Sequence, residues 1–376
     1  MPGPVRVLLM SYWLEAGGTE RQLTELARAL DRSRFHPHVG CFHAVGPRAE
    51  DLRAAGVPVV RFPVRSFASA STLPAALAMR RYLRAQGIQI VHSFDMPTNL
   101  FGVPVARACR IPVVLSSQRN YRSLTPGIYH RLLRLTDRLS DGIVVNARAI
   151  EQALITEDRV PPERIHLCYN GVRTDHFRPR PTGPACPGGP VRIGTLCALR
   201  PEKALETLLE AFAQVRARFP RTELVIVGSG PKLPDLETLA ARLELGTSCR
   251  FEPASREVLE HLQRMDIFVL PSHTEALSNA LMEAMACGCC AVASQVGGNP
   301  ELVEHGRTGL LFPPGDVAAL GDRLCRLLSQ PELRYRCAEA GAAFIHQHFS
   351  MQAAAGRLEG IYSLLWERRR RPAWRS

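Results

Sequence analysis

Short apolar runs rich in β-branched residues recur along the chain, separated by longer stretches compatible with helix. They lie at 5–12, 38–42, 57–62, 88–94, 112–117, 142–146 and 165–169, and then at 191–199, 223–228, 248–251, 267–271, 290–294 and 309–312. A strand that is apolar at successive positions has both faces buried, which happens where a parallel sheet carries helices on each side. The pattern therefore predicts an α/β chain of strand–helix repeats. Between the two series, PRPTGPACPGGP at 179–190 sets five prolines and three glycines in twelve positions, a density that no helix or central strand tolerates. It reads as a linker, and 376 residues is a suitable length for two doubly wound domains around it.

In such sheets ligands bind beyond the carboxyl ends of the strands, so the loops after the apolar runs are where chemistry is expected. The most informative stretch is IFVLPSHTEALSNALMEAMACGCCAVA at 267–293. A strand runs into Pro271 and Ser272, a loop carries Glu275, and a helix is predicted from Ser278 as N-cap to just before Gly288, a suitable left-handed C-terminal cap. Backbone N–H groups of Ser278, Asn279 and Ala280 then sit at the positive end of that helix, an anion site suited to a diphosphate. Glu283, farther along the helix, can accept bonds from two vicinal ribose hydroxyls. Taken alone, two glutamates at this spacing are equally compatible with ordinary surface charge.

After the run that opens the second series, Arg200 and Lys203 stand where strand gives way to helix, placed to face the same diphosphate and support charge on a leaving group. Lys203 and Lys232 are the only lysines, against 45 arginines, which favours a point-charge role for Lys203. In the first half, Gly17 and Gly18 follow the first run and let backbone approach a phosphate ahead of a helix. Neither that loop nor VGSGP at 227–231 has the G-x-G-x-x-G fingerprint, which counts against a nicotinamide-dependent dehydrogenase. On its residues alone, His92 in VHSFD is a lone histidine at a strand end, as compatible with a structural role as with a chemical one.

Together these motifs resemble the retaining glycosyltransferases of the two-Rossmann GT-B fold that carry an E-x7-E motif, glycosyltransferase family 4. Glu275 and Glu283 have that spacing and are followed by EAMACG, while Gly17, Gly18, NGV at 170–172, Arg200, Lys203, VGSGP, Pro271 and Ser272 fall in the expected order. The likeness covers nearly the whole chain. Gly288-Cys289-Cys290 replaces the common G-x-P, and SSQRN at 116–120 replaces a segment that often carries histidine. The resemblance implies two Rossmann-like domains facing each other across a cleft: 1–178 for the acceptor, linker 179–190, 191–352 for the nucleotide-sugar donor, and a C-terminal helix with basic tail at 353–376, the helix packing back toward the first domain. It implies a UDP-sugar donor, with Arg200 and Lys203 on the diphosphate, Ser278 and Asn279 supplying backbone donors, Glu283 on the ribose, Glu275 on the sugar hydroxyls and His92 reaching the reacting face. It also implies front-face sugar transfer with retention. A sugar-nucleotide epimerase on the same fold and a non-catalytic sugar-binding protein are the alternatives. No D-x-D occurs among the aspartates, so neither a metal nor another cofactor is expected.

The +12 net charge is unevenly placed. Residues 1–181 hold 25 arginines against 14 acids, whereas 182–367 hold 17 basic against 21 acidic residues. A basic half suits nucleic acid, an anionic membrane or a phosphorylated substrate. Aromatic content of 6% and the lack of a recognised binding motif argue against nucleic acid. IYHRLLRLTDRL at 128–139 sets Ile128, Leu132, Leu135 and Leu139 on one helical stripe with Arg131, Arg134 and Arg138 beside it. That arrangement suits an anionic bilayer, or equally a helix seated on its own sheet. Arg80, Arg81 and Arg84 form a second cluster, and the tail RRRRPAWR adds Trp374. The expected acceptor is a lipid-linked sugar or oligosaccharide. Eleven cysteines without regular spacing point to reduced thiols, and with no run of about 18 apolar residues the expected location is cytoplasmic, with a peripheral site on the inner face of the plasma membrane. Adjacent Cys289 and Cys290 with Cys287 cannot easily share a tetrahedral metal, so they read as core.

Overall fold

A computed structural model describes residues 3–15, 17–65, 71–180 and 189–370. The chain divides into two units, Met1–Gly171 with Met351–Ser376, and Val172–Ser350. In the first, the elements run β1 (Val5–Trp13), α1 (Gly18–Ala29), β2 (Phe35–His43), α2 (Pro47–Ala54), β3 (Val59–Arg61), α3 (Thr72–Ala85), β4 (Ile90–Ser93), α4 (Met96–Ala108), β5 (Val113–Gln118), α5 (Gly127–Leu139), β6 (Gly142–Val145), α6 (Arg148–Thr156) and β7 (Ile165–Leu167). The second holds β8 (Val191–Leu196), α7 (Leu205–Arg218), β9 (Thr222–Val227), α8 (Leu233–Arg242), β10 (Cys249–Glu252), α9 (Val258–Gln263), β11 (Ile267–Leu270), α10 (Asn279–Ala286), β12 (Cys290–Ser294), α11 (Asn299–Leu302), β13 (Gly309–Phe312), α12 (Val317–Ser329) and α13 (Pro331–His348). A last helix, α14 (Met351–Arg370), returns to the first unit.

Each apolar run forms a strand, and every strand pair is parallel. The sheet orders are β3-β2-β1-β4-β5-β6-β7 and β10-β9-β8-β11-β12-β13. In both, winding reverses beside the first strand, so the crevices at a topological switch open between β1 and β4 and between β8 and β11. Alternation along β1 divides the first core. Val7 and Leu9 face α1 and α14, while Leu8 and Met10 face α3 and α4.

The unit boundaries differ from the expected ones. Residues 172–180 belong to the second unit: Val172 N–H donates to Phe349 O at 2.8 Å, and Arg180 pairs with Asp266 at 2.9 Å. Positions 179 and 180 of the expected linker therefore belong to the second unit, and its residues 181–188 lie outside the described residues, as does Trp374. Helix α14 is held to the first sheet by fully buried Tyr362 and by Glu359, which accepts from Asp31 N–H at 2.7 Å and pairs with Arg34 at 3.1 Å.

Two local features fix loops that matter below. Gly228 and Gly230 of VGSGP let two chain segments touch. Leu199 N–H donates to Ser229 O at 3.0 Å and Lys232 N–H to Leu199 O at 3.1 Å. A Cβ on Gly228 would overlap the Cys197 carbonyl oxygen. In the first unit His92 is fully buried, with Nδ1 on Tyr362 Oη at 2.8 Å and Nε2 on Ser117 Oγ at 2.8 Å. Burial, reinforced by the Arg119 charge, pushes its pKa down to about 3.

Gly228→Ala should destabilise the chain by about 1–3 kcal/mol through forced separation of these segments, read as a lower urea midpoint. Gly360→Ala on α14, where a Cβ meets nothing within 4 Å, should be neutral or stabilising by up to about 1 kcal/mol. For His92 the folded pKa lies below the ordinary 6.5. Above 6.5 both states are neutral and its contribution is complete; below it the unfolded chain takes up a proton that the folded chain refuses. Stability is thus lost as pH falls from 6.5 toward about 3, at up to about 1.4 kcal/mol per pH unit. His92→Gln should remove that slope in melting curves taken against pH, and cost about 1–3 kcal/mol at neutral pH. His38, lowered to about 4 by burial, is present in both proteins and cancels. An unchanged acid slope would refute the assignment.

Candidate functional site

The residues singled out in the second half converge on the β8–β11 crevice. Beyond β8 the chain makes a 3-10 turn over Pro201–Lys203 and then Ala204 takes a left-handed conformation, φ +48°. For a residue with a Cβ that costs about 1–2 kcal/mol, and it sets the direction in which α7 leaves. Lys203 Nζ reaches Glu275 Oε1 at 2.6 Å, joining the loop after β8 to the loop after β11. The same oxygen accepts from Ser272 Oγ at 2.8 Å. Cys197, beside the pair, has its thiol pushed up to about 11, mainly by burial, so it is protonated at neutral pH. Arg200 behaves differently: its side chain is 63% exposed and its nearest acid is Glu202 at 4.0 Å. Lys232 pairs with Glu206 at 3.1 Å and Asp235 at 2.9 Å, away from Glu275.

The Glu275 loop is braced on both sides. His273 N–H donates to Glu202 O at 2.9 Å, and Gly298 N–H donates to Ala276 O at 2.9 Å. Below it, Ser294 Oγ donates to Ser272 O at 2.6 Å and Asn299 Nδ2 to Ser294 O at 3.0 Å, all three side chains being fully buried. Ser294, Gly298 and Asn299 were not anticipated. Their signal was the glycine pair and asparagine that follow β12, the strand next to β11.

Ser278 is the N-cap of α10, its Oγ accepting from Leu281 N–H at 3.3 Å. Asn279 and Ala280 occupy the first two helical positions, where N–H groups point out of the helix end. The helix ends in a Schellman pair: Gly288, φ +78°, donates to Met285 O at 2.9 Å and Cys289 N–H to Ala284 O at 3.0 Å. Glu283 is buried on α10. Cys287, Cys289 and Cys290 are buried in the core around this turn.

In the first unit Gly17 is the N-cap of α1 and Gly18 its first residue. Glu20 folds its carboxylate back over Gly17 and accepts from Trp13 Nε1 at 2.6 Å, with its pKa raised by burial. An internal carboxylate thus occupies the anion position that the two glycines were expected to offer a phosphate. Asp95 closes the neighbouring crevice, accepting from Tyr12 N–H at 2.6 Å and Thr98 N–H at 2.9 Å. His92 departs from the expectation of a group facing the sugar, since both ring nitrogens are committed to Tyr362 and Ser117.

The family model described as glycosyl transferases group 1 matches residues 185–344, and that of Glycosyltransferase Family 4 matches 16–176. A GDP-mannose-dependent alpha-(1-6)-phosphatidylinositol monomannoside mannosyltransferase of Mycobacterium tuberculosis is 28% identical over 378 residues, covering 94% of this chain and 97% of the relative. An alpha-D-kanosaminyltransferase of Streptomyces kanamyceticus is 31% identical over 242 residues, 61% of this chain and 59% of its own. Among solved structures, Anabaena HepE in complex with UDP and glucose superposes with a TM-score of 0.83 at 21% identity, covering 96% of this chain and 99% of that one. Sucrose-phosphate synthase from Thermosynechococcus elongatus gives 0.81 at 19% identity, covering 97% and 100%. At these identities the structural likeness speaks for the fold alone, which is the GT-B arrangement of two Rossmann-like units. With one family model on each half of the chain, the matches support a glycosyltransferase of the family 4 type.

Proposed function

We propose that this chain is a retaining, metal-independent glycosyltransferase that moves a sugar from a nucleotide-diphosphate sugar to a lipid-linked sugar or oligosaccharide in polysaccharide or glycoconjugate biosynthesis. The observation that carries the reading is the Lys203–Glu275 contact across the β8–β11 crevice, beside the N-terminus of α10. It sets a cation, a carboxylate and outward N–H groups within one unit, the polarity that a sugar diphosphate requires.

In the proposed roles Lys203, Arg200 and the start of α10 at Ser278 and Asn279 hold the diphosphate, Glu283 takes the ribose hydroxyls, and Glu275 receives a sugar hydroxyl on Oε2, the oxygen that neither Lys203 nor Ser272 uses. The bond from the anomeric carbon to the diphosphate oxygen breaks as the acceptor oxygen approaches the same face, and the acceptor's proton passes to the departing phosphate oxygen. Positioning and charge stabilisation of that leaving group supply the rate. His92 we assign to support of the first sheet and not to the reaction, because its imidazole is fully committed. Gly17 and Gly18 contribute to donor binding only once the Glu20 carboxylate has moved aside.

A UDP-sugar is the first expectation for the donor. The full-length likeness to an enzyme named for GDP-mannose favours a GDP-sugar as the second reading. Incubation with UDP- and GDP-sugars, with and without lipid-linked acceptors, separates these from an epimerase, which would convert the donor without an acceptor. Glu275→Gln and Lys203→Ala should each lower transfer by about 10²-fold or more, the usual loss for a group acting on transition-state charge, with circular dichroism unchanged. Near-native transfer in both would sink the assignment. Transfer should persist in EDTA; its abolition by chelation and restoration by Mg²⁺ or Mn²⁺ would refute the metal-independent mechanism.

A further inference from the structure

Helix α5 is seated the wrong way round for a core helix. Its inward residues include Asp137, held by Arg122 through two bonds of 2.7 and 2.8 Å, with Leu133 and Thr136 beside it. Its outward residues include Ile128, 62% exposed, Leu132, 41%, and Leu135, 52%. Spaced at i, i+4 and i+7, these three form a continuous apolar stripe facing solvent, and Leu124, 65% exposed, extends it toward the end of β5. Arg131 and Arg138 flank the stripe and are exposed, while Arg134 is partly neutralised by Asp158 at 3.4 Å, which also meets His130. Leu139, expected on the stripe, instead packs toward the core.

The same composition recurs on α3. Leu73 and Leu77 are exposed in its first half, and Arg80, Arg81 and Arg84 in its second. Helices α3 and α5 both contact α4, and α3 and α4 cover the sheet face that carries Leu8 and Met10, opposite α1 and α14. The two outer helices therefore belong to one layer. In a parallel sheet each helix starts at the carboxyl edge of its strands, so the apolar half of α3 and the apolar start of α5 both lie toward the ligand-bearing edge.

We propose that the outward stripe of α5, Ile128, Leu132 and Leu135 flanked by Arg131 and Arg138, is a docking surface for an anionic phospholipid bilayer, with the outer face of α3 continuing it. Apolar side chains enter the headgroup boundary while guanidinium groups meet lipid phosphates. Charge selects this occupant over a second copy of the chain, since pairing this face with itself would bring arginine onto arginine. The excess of arginine over acid in residues 1–181 acts in the same sense at longer range. Among the described residues no helix is long and apolar enough to cross a membrane, so attachment through this surface is peripheral. The proposal draws on the sugar-transfer reading only for a reason to be at a bilayer.

The test is cosedimentation of the full chain with vesicles of phosphatidylcholine containing about one-third phosphatidylglycerol, against phosphatidylcholine alone, at low and high salt. The chain should bind the anionic vesicles at least tenfold better, and high salt should weaken that binding. Ile128→Ser, Leu132→Ser and Leu135→Ser together should lower binding at least tenfold. Arg131→Gln and Arg138→Gln should each lower it about fivefold, the fold-change that corresponds to roughly 1 kcal/mol per basic residue at such a surface. All replaced side chains are exposed, so melting temperature should hold. Equal binding of wild type and variants, no preference for anionic lipid, or a dimer in light scattering that the serine variant dissolves would each overturn the proposal. Vesicle binding is read without a sugar donor, so loss of this proposal leaves the transfer reading standing, and failure of sugar transfer leaves the vesicle result intact.

Discussion

A parallel sheet covered on both faces has no dry place for a charge except at the ends of its strands, and the rest of this molecule follows from that constraint. Side chains along β8 and β11 are buried between helices, so the chain can present a lysine and a carboxylate to each other only where the two strands stop. Because β8 and β11 flank the point at which winding reverses, their following loops leave in opposite directions and open a crevice between them. Lys203 and Glu275 close part of that crevice at 2.6 Å. The supports are backbone bonds: Glu202 O to His273 N–H on one side, Ala276 O to Gly298 N–H on the other, with Ser294 and Asn299 beneath. Geometry at the site thus rests on groups with no charge to titrate.

The first unit uses the same architecture with a different filling. At its own switch point, between β1 and β4, two carboxylates occupy the places where a ligand would be sought. Asp95 caps α4 and ties down the end of β1, and Glu20 lies over the start of α1, anchored by Trp13. Burial raises both above the ordinary carboxylate range, and hydrogen bonds to the charged form oppose that rise. One unit therefore sets a lysine against a carboxylate at its crevice and the other fills the place with two carboxylates, although their sheets are wound alike.

What was legible in the sequence had a periodic or geometric signature. The apolar runs became strands because double burial leaves an uninterrupted apolar pattern, and Ser278 and Gly288 bounded α10 because caps require those residue types. Illegible features depended on which atoms meet in space. Nothing in the spacing of Lys203 and Glu275 says that they touch, and nothing in VHSFD says that Tyr362, 270 positions away, will take up Nδ1 of His92. The glycines of VGSGP had the composition of a ligand loop and serve as a contact between chain segments. Proline density located the junction only approximately, because Arg180 finds Asp266 and draws its neighbours into the second unit.

Direct pairing of Lys203 with Glu275 has a consequence for how a donor would be recognised. Lys203 and Ser272 both use Oε1 of Glu275, and the lysine ammonium carries three donors, so a donor can add its own bonds while the pair stays intact. A nucleoside diphosphate alone carries an anion for Lys203 and nothing for Glu275. A sugar diphosphate brings the anion together with hydroxyl groups that the carboxylate can accept from. Under the proposed roles the intact donor therefore gains on both sides of the contact, while the product nucleotide gains on one. As the sugar leaves, Oε2 of Glu275 loses its hydroxyl partner while Oε1 keeps Lys203 and Ser272. Ser272, bonded to the same carboxylate oxygen as Lys203, then holds Glu275 in one orientation with and without the sugar.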